Sequence, residues 1–162
     1  MRISEVWSEL SPELNHRVLE SGYLNDKTLY RKLNREMAKG LGKRPKGLLE
    51  MPRKERHALY QPLLGMPIYM VMAQNLTITW LSHEAASLLT TFLDQLGIEH
   101  DGKGCAENFP EEVSKAKLIK AMNSLMHESD KEGALFYLSI FPDISGVEWK
   151  AYDKALEEVS GV

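Results

Sequence analysis

Between residues 57 and 83 the chain carries no Asp, Glu, Lys or Arg, although charged residues make up 27% of the sequence. Such a stretch is expected to be sheltered by other protein or by lipid. A spanning helix needs about 20 predominantly apolar residues. Here Gln61, Pro62, Gly65, Pro67, Gln74 and Asn75 interrupt the run. The part free of proline and glycine, Ile68 to Leu81, is too short to span. It is expected to be a buried core element of a soluble protein, with no membrane association. Its length favours a helix over strands. The alternative is a short β-hairpin at 68–80, since Thr77, Ile78, Thr79 and Trp80 favour strands. A lone hairpin is only marginally stable, and no third strand is visible elsewhere.

The rest of the sequence is punctuated as helices. Ser11-Pro12 reads as a cap followed by proline at the first helical position, with Gly22 as a stop. Asn25 is placed to cap a helix ending near Gly40, with Leu29, Leu33 and Met37 on one face. Residues 40–52 read as a loop, followed by a short helix from Arg53 to Tyr60. Ser82 precedes the best periodic run, Ala85, Leu88, Leu89, Phe92, Leu93 and Leu96, which Gly97 stops. Ser114 opens the next helix. Ser129 with Glu132, and Ser145 with Glu148, have capping-box spacing, and Pro142 reads as a terminator. The fold class predicted is all-α, one compact domain over residues 1–162 with about seven to nine helices. A chain of 162 residues is long enough to bury a core without covalent staples. Its lone cysteine, Cys105, cannot form an internal disulfide. No apolar leader follows Met1, so no signal peptide is predicted and the expected location is cytoplasmic.

Charge is strongly segregated. The net charge is −3, yet residues 27–56 hold eleven Lys or Arg against three Glu, whereas residues 84–162 hold seven Lys against fifteen acids. Lys27, Arg31, Arg35 and Lys39 recur every four residues, a stripe opposite the Leu29–Leu33–Met37 face. Lys43, Arg44, Lys46, Arg53, Lys54 and Arg56 follow in the connecting segment. Clustered cations of this kind bind phosphate backbones by releasing counterions. Lys27, Arg31, Arg35, Lys39, Lys43, Arg44 and Lys46 are therefore the candidate residues for a polyanion or a protein partner.

Catalytic patterns are missing. No zinc-protease, P-loop, nucleophile-elbow or dinucleotide signature occurs. Glu13-x-x-His16 has the carboxylate–histidine spacing of di-iron bundles, but its required second copy is absent. His57, His83, His100 and His127 are expected at element ends or in loops. The run His100-Asp101-Gly102-Lys103-Gly104-Cys105 puts an imidazole, a carboxylate and a thiol close together, and reads as a flexible interhelical loop. Met66, Met70 and Met72 read as core filler. No catalytic residue, metal ligand or cofactor is assigned. The reading is a non-enzymatic helical interaction module, self-associating or bound to a protein partner. Its alternatives are nucleic-acid binding through residues 27–56, and a ligand site or enzyme in an inter-helix pocket.

Overall fold

The computed structural model describes residues 3–128 and 130–161, which form ten α-helices and one 3₁₀ turn. The fold is all-α, and no strand occurs among the described residues. Ten helices exceed the seven to nine expected because residues 40–52 are not all loop. Pro45 opens a short helix there, and Leu48 is fully buried. Among the described residues, no helix is long and apolar enough to cross a membrane. These residues fall into two compact units, 3–84 and 85–161, described in turn.

In the first unit, α1 is Ile3–Ser8, α2 Pro12–Asn25, α3 Lys27–Leu41, α4 Pro45–Leu49, α5 Arg53–Leu64 and α6 Met70–His83, with the 3₁₀ turn Pro67–Tyr69 before α6. Helix α2 is central and packs on α3, α5 and α6. Its Ser11 cap accepts from Leu14 N at 3.1 Å. Gly22 does not stop it. A Cβ there would sit 3.0 Å from Leu76, so the glycine lets α2 approach α6. The cap of α3 is Asp26 rather than Asn25. Its carboxylate accepts from Leu29 N at 3.0 Å.

The hairpin reading of 68–80 fails. The segment forms helix α6, in which the buried Thr77 and Thr79 hydroxyls are satisfied by donating back to Ala73 O and Asn75 O, at 2.8 and 3.0 Å. The segment is also less buried than its composition implies. Ala73, Leu76 and Leu81 are core, whereas Ile68 is 79% and Val71 63% exposed. Ser82 lies inside α6 and caps nothing.

In the second unit, α7 is Ala86–Gln95, α8 Lys115–Glu128, α9 Lys131–Ser145 and α10 Tyr152–Ser160. Helix α8 packs against the other three. The core is aromatic: Phe141 on α9 touches the rings of Phe92, Phe109, Tyr137, Trp149 and Tyr152. Gly104 has φ +93°, and a Cβ there would lie 2.4 Å from Leu89 Cβ. Only glycine fits.

Three boundaries differ from expectation. Ser129 of the Ser129–Glu132 box lies outside the described residues, and Asp130 caps α9 by accepting from Gly133 N at 3.3 Å. Ser145 belongs to α9, where its hydroxyl donates to Phe141 O at 2.7 Å, so the Ser145–Glu148 box does not form. Pro142 sits inside α9 rather than ending it. Proline cannot donate to the carbonyl four residues back, that of Leu138. The Tyr152 hydroxyl of α10 bonds that carbonyl instead, at 2.7 Å.

Candidate functional site

Helix α3 is strongly amphipathic. Leu33, Met37 and Ala38 are buried, while Lys27, Arg31, Arg35 and Lys39 are all exposed, as the spacing requires. Lys43, Arg44 and Lys46 are exposed as well. Lys39 lies 3.9 Å from Glu36, a loose contact in water. Among the described residues, no ion pair engages the other six.

Arg31 and Arg35 converge on a groove of about 540 Å³, lined also by Thr28, Asn34, Pro45 and Leu49. Thr28, Arg31 and Arg35 share one helix face by their three- and four-residue spacing. Pro45 and Leu49 of α4 form an apolar wall. Asn34 is nearly buried, and its Oδ1 accepts from the Tyr60 hydroxyl at 2.7 Å. Burial pushes the Tyr60 pKa up, so the phenol stays a donor. With its oxygen so engaged, Asn34 has its amide NH2 left for the groove. The lining holds two guanidinium groups, an amide donor and a hydroxyl, and no carboxylate. Lys27, Lys39, Lys43, Arg44 and Lys46 lie outside that lining.

Two cations of the basic segment are already engaged within the protein. Arg53 stacks 4.0 Å above the Tyr23 ring and binds Glu20, Nε at 3.1 Å from each oxygen and Nη2 at 2.9 Å from Oε1. Arg56 is only 4% exposed. Its Nη1 donates to Leu48 O at 3.3 Å and its Nη2 to the Tyr30 hydroxyl at 2.9 Å, while Nε has no partner. A cation buried without a carboxylate relies on such acceptors.

His57, expected at an element end, is instead fully buried within α5. The Tyr30 hydroxyl lies 2.7 Å from its Nε2, and His16 Nδ1 lies 2.8 Å from its Nδ1. Arg56 can only donate, so Tyr30 accepts from it and turns its own proton to His57 Nε2. His57 therefore carries its proton on Nδ1 and donates to His16, whose Nδ1 lone pair accepts. Burial, with His16 and the Arg56 and Arg53 cations nearby, pushes the His57 pKa down to about 3, so the ring is neutral. Burial raises the Tyr30 pKa despite Arg56, keeping it a phenol. His16, Glu20 and His57 each bring a ligand atom within 4.8 Å of the others. Sequence spacing offers two of these three residues, since His16 and Glu20 stand one helical turn apart. His57, on another helix, has no local signal.

The His100–Cys105 run is an ordered turn. Asp101 accepts from Lys103 N at 2.7 Å and Cys105 N at 3.1 Å, and these bonds lower its pKa. Gly102 N donates to His100 Nδ1 at 3.0 Å, so Nε2 carries the proton and donates to Asp94 at 2.6 Å. Both ring nitrogens are occupied, and neither is left to take a proton from the exposed Cys105 thiol. The 340 Å³ depression at this turn is lined by Glu99, His100, Asp101, Cys105, Glu107 and Asn108, and its three carboxylates do not suit an anion. No family model matches the chain, and comparisons with curated proteins and with solved structures give no match.

Proposed function

We propose that the chain is a non-enzymatic binding module whose first unit holds nucleic-acid phosphates in the groove between α3 and α4. The supporting observation is the convergence of Arg31 and Arg35 on a groove lined by donors and free of carboxylates. Guanidinium groups suit phosphate because their fork can make paired hydrogen bonds. Lys27, Lys39, Lys43, Arg44 and Lys46 extend the positive surface around them. Pro45 and Leu49 offer an apolar wall beside the guanidinium planes of Arg31 and Arg35, and an unstacked base presents a face that such planes can pack against. A cytoplasmic setting accords with the exposed, unpaired Cys105.

The test is fluorescence anisotropy with a labelled single-stranded oligonucleotide across a salt series. Affinity should fall as salt rises. Arg31→Glu with Arg35→Glu should weaken binding at least tenfold and flatten the log–log salt slope by about two, roughly one for each phosphate no longer neutralised. Salt-independent binding, or binding indifferent to this charge reversal, overturns the reading.

A second reading, self-association or a protein partner, has its own observation. Met66, Ile68, Met70, Val71 and Ile78 expose apolar surface along the 3₁₀ turn and α6. Light scattering after size-exclusion chromatography separates the two readings. A dimer that Ile68→Asp with Val71→Asp converts to monomer favours self-association.

A further inference from the structure

We infer that His16, Glu20 and His57 form a binding site for one divalent metal ion of the zinc class. The inference does not rest on the nucleic-acid reading. The donor set is two imidazole nitrogens and one carboxylate oxygen, all within 4.8 Å of one another. That set suits zinc, cobalt and nickel, whereas calcium and magnesium favour oxygen ligands. Helix α2 supplies His16 and Glu20 from one face, and α5, packed against it, supplies His57. The two Nδ1 atoms face each other at 2.8 Å. Tetrahedral coordination at zinc–nitrogen distances needs them about 3.3 Å apart, an opening of about half an ångström.

The surroundings are built to orient these ligands. The far nitrogen of His57 is held by Tyr30, and Tyr30 is held by Arg56. Once His57 carries its proton on Nε2, Tyr30 becomes the outer acceptor that fixes ring orientation in metal sites. Protons balance without loss. His16 already presents its Nδ1 lone pair. His57 moves its proton from Nδ1 to Nε2, where the Tyr30 oxygen accepts it on the lone pair that Arg56 does not use, and the Tyr30 hydroxyl proton rotates away from His57. His16 and Glu20 are half-buried, so an ion can reach them from solvent.

Arg53 is the competitor. It binds the Glu20 carboxylate, but its side chain is 42% exposed and can swing into water. Metal and Arg53 therefore compete for one carboxylate, and an ion entering the site must displace or share with a guanidinium. This sets a signature that adventitious surface binding lacks, because removing a surface arginine should tighten the site.

The experiment is Co²⁺ titration of the chelator-treated full chain, read by visible absorption, followed by displacement with Zn²⁺. One ion per chain is expected, with the intense bands of a four- or five-coordinate site. His16→Ala and Glu20→Gln should each weaken binding about tenfold or more, with helicity retained by circular dichroism. Arg53→Ala should strengthen it several-fold. His100→Ala, in the turn near Cys105, should change nothing. No stoichiometric binding at micromolar Co²⁺, or binding that survives both ligand substitutions, overturns the site. So does binding that His100→Ala abolishes.

Discussion

The two units bury different chemistry. Ser4, Asn15, Ser21, Asn34, Arg56, His57, Thr77 and Thr79 are buried in the first unit, and no comparable polar side chain is buried among the described residues of the second. In the first unit Asn15 takes the Trp7 indole proton at 3.1 Å and donates to His57 O at 3.0 Å, so polar bonds cross from α1 to α2 to α5. The second unit is held by touching rings centred on Phe141. Ring packing is tolerant in chemistry but costly to hollow out. A buried polar network is directional, and each member left without its partner is penalised. Both candidate sites lie in the unit built from directional bonds, which hold Asn34 of the groove and His57 of the histidine–carboxylate cluster in place.

That contrast can be broken at three positions. The largest effect is expected from Phe141→Ala, which removes the ring shared by five aromatic neighbours. Urea denaturation should show a loss of about 3–5 kcal/mol. A loss under about 1 kcal/mol would mean that the rings are not the main support of this unit. Next is Tyr30→Phe. It keeps the ring but leaves Arg56 Nη2 and His57 Nε2 facing a carbon edge, at a cost of about 1–3 kcal/mol. Unchanged stability would show that the network contributes nothing beyond packing. The smallest effect belongs to Tyr137→Phe. The Tyr137 hydroxyl is buried and has no hydrogen-bond partner. Removing it should leave stability unchanged or raise it by up to about 1 kcal/mol. The same edit, tyrosine to phenylalanine, is thus expected to have opposite outcomes in the two units. Equal melting shifts would erase the distinction.

What is legible in the sequence is local. The alternation of Leu33 and Met37 with Lys27, Arg31, Arg35 and Lys39 encodes one amphipathic helix, and each side chain lies where the period puts it. The pairing of Arg31 and Arg35 follows from the same period. The groove itself does not, because its other wall comes from Pro45 and Leu49 on a helix hidden in a glycine- and proline-rich stretch. Arg56 reads as one more surface cation. Its burial depends on acceptors from Leu48 and Tyr30, which no spacing rule connects to position 56. His57 escapes a sequence reading for the same reason. The uncharged stretch teaches the converse lesson. Lack of charge indicates where burial is cheap, not where it happens, as Ile68 and Val71 show.

The bond from Tyr152 to Leu138 also has a meaning in time. A ribosome delivers Leu138 and Pro142 before Tyr152, so α9 emerges with one carbonyl that its own backbone cannot satisfy. Water must hold that carbonyl until the tyrosine arrives. The proline thus leaves one carbonyl of α9 that protein satisfies only when α10 docks, which ties the completion of one helix to the other.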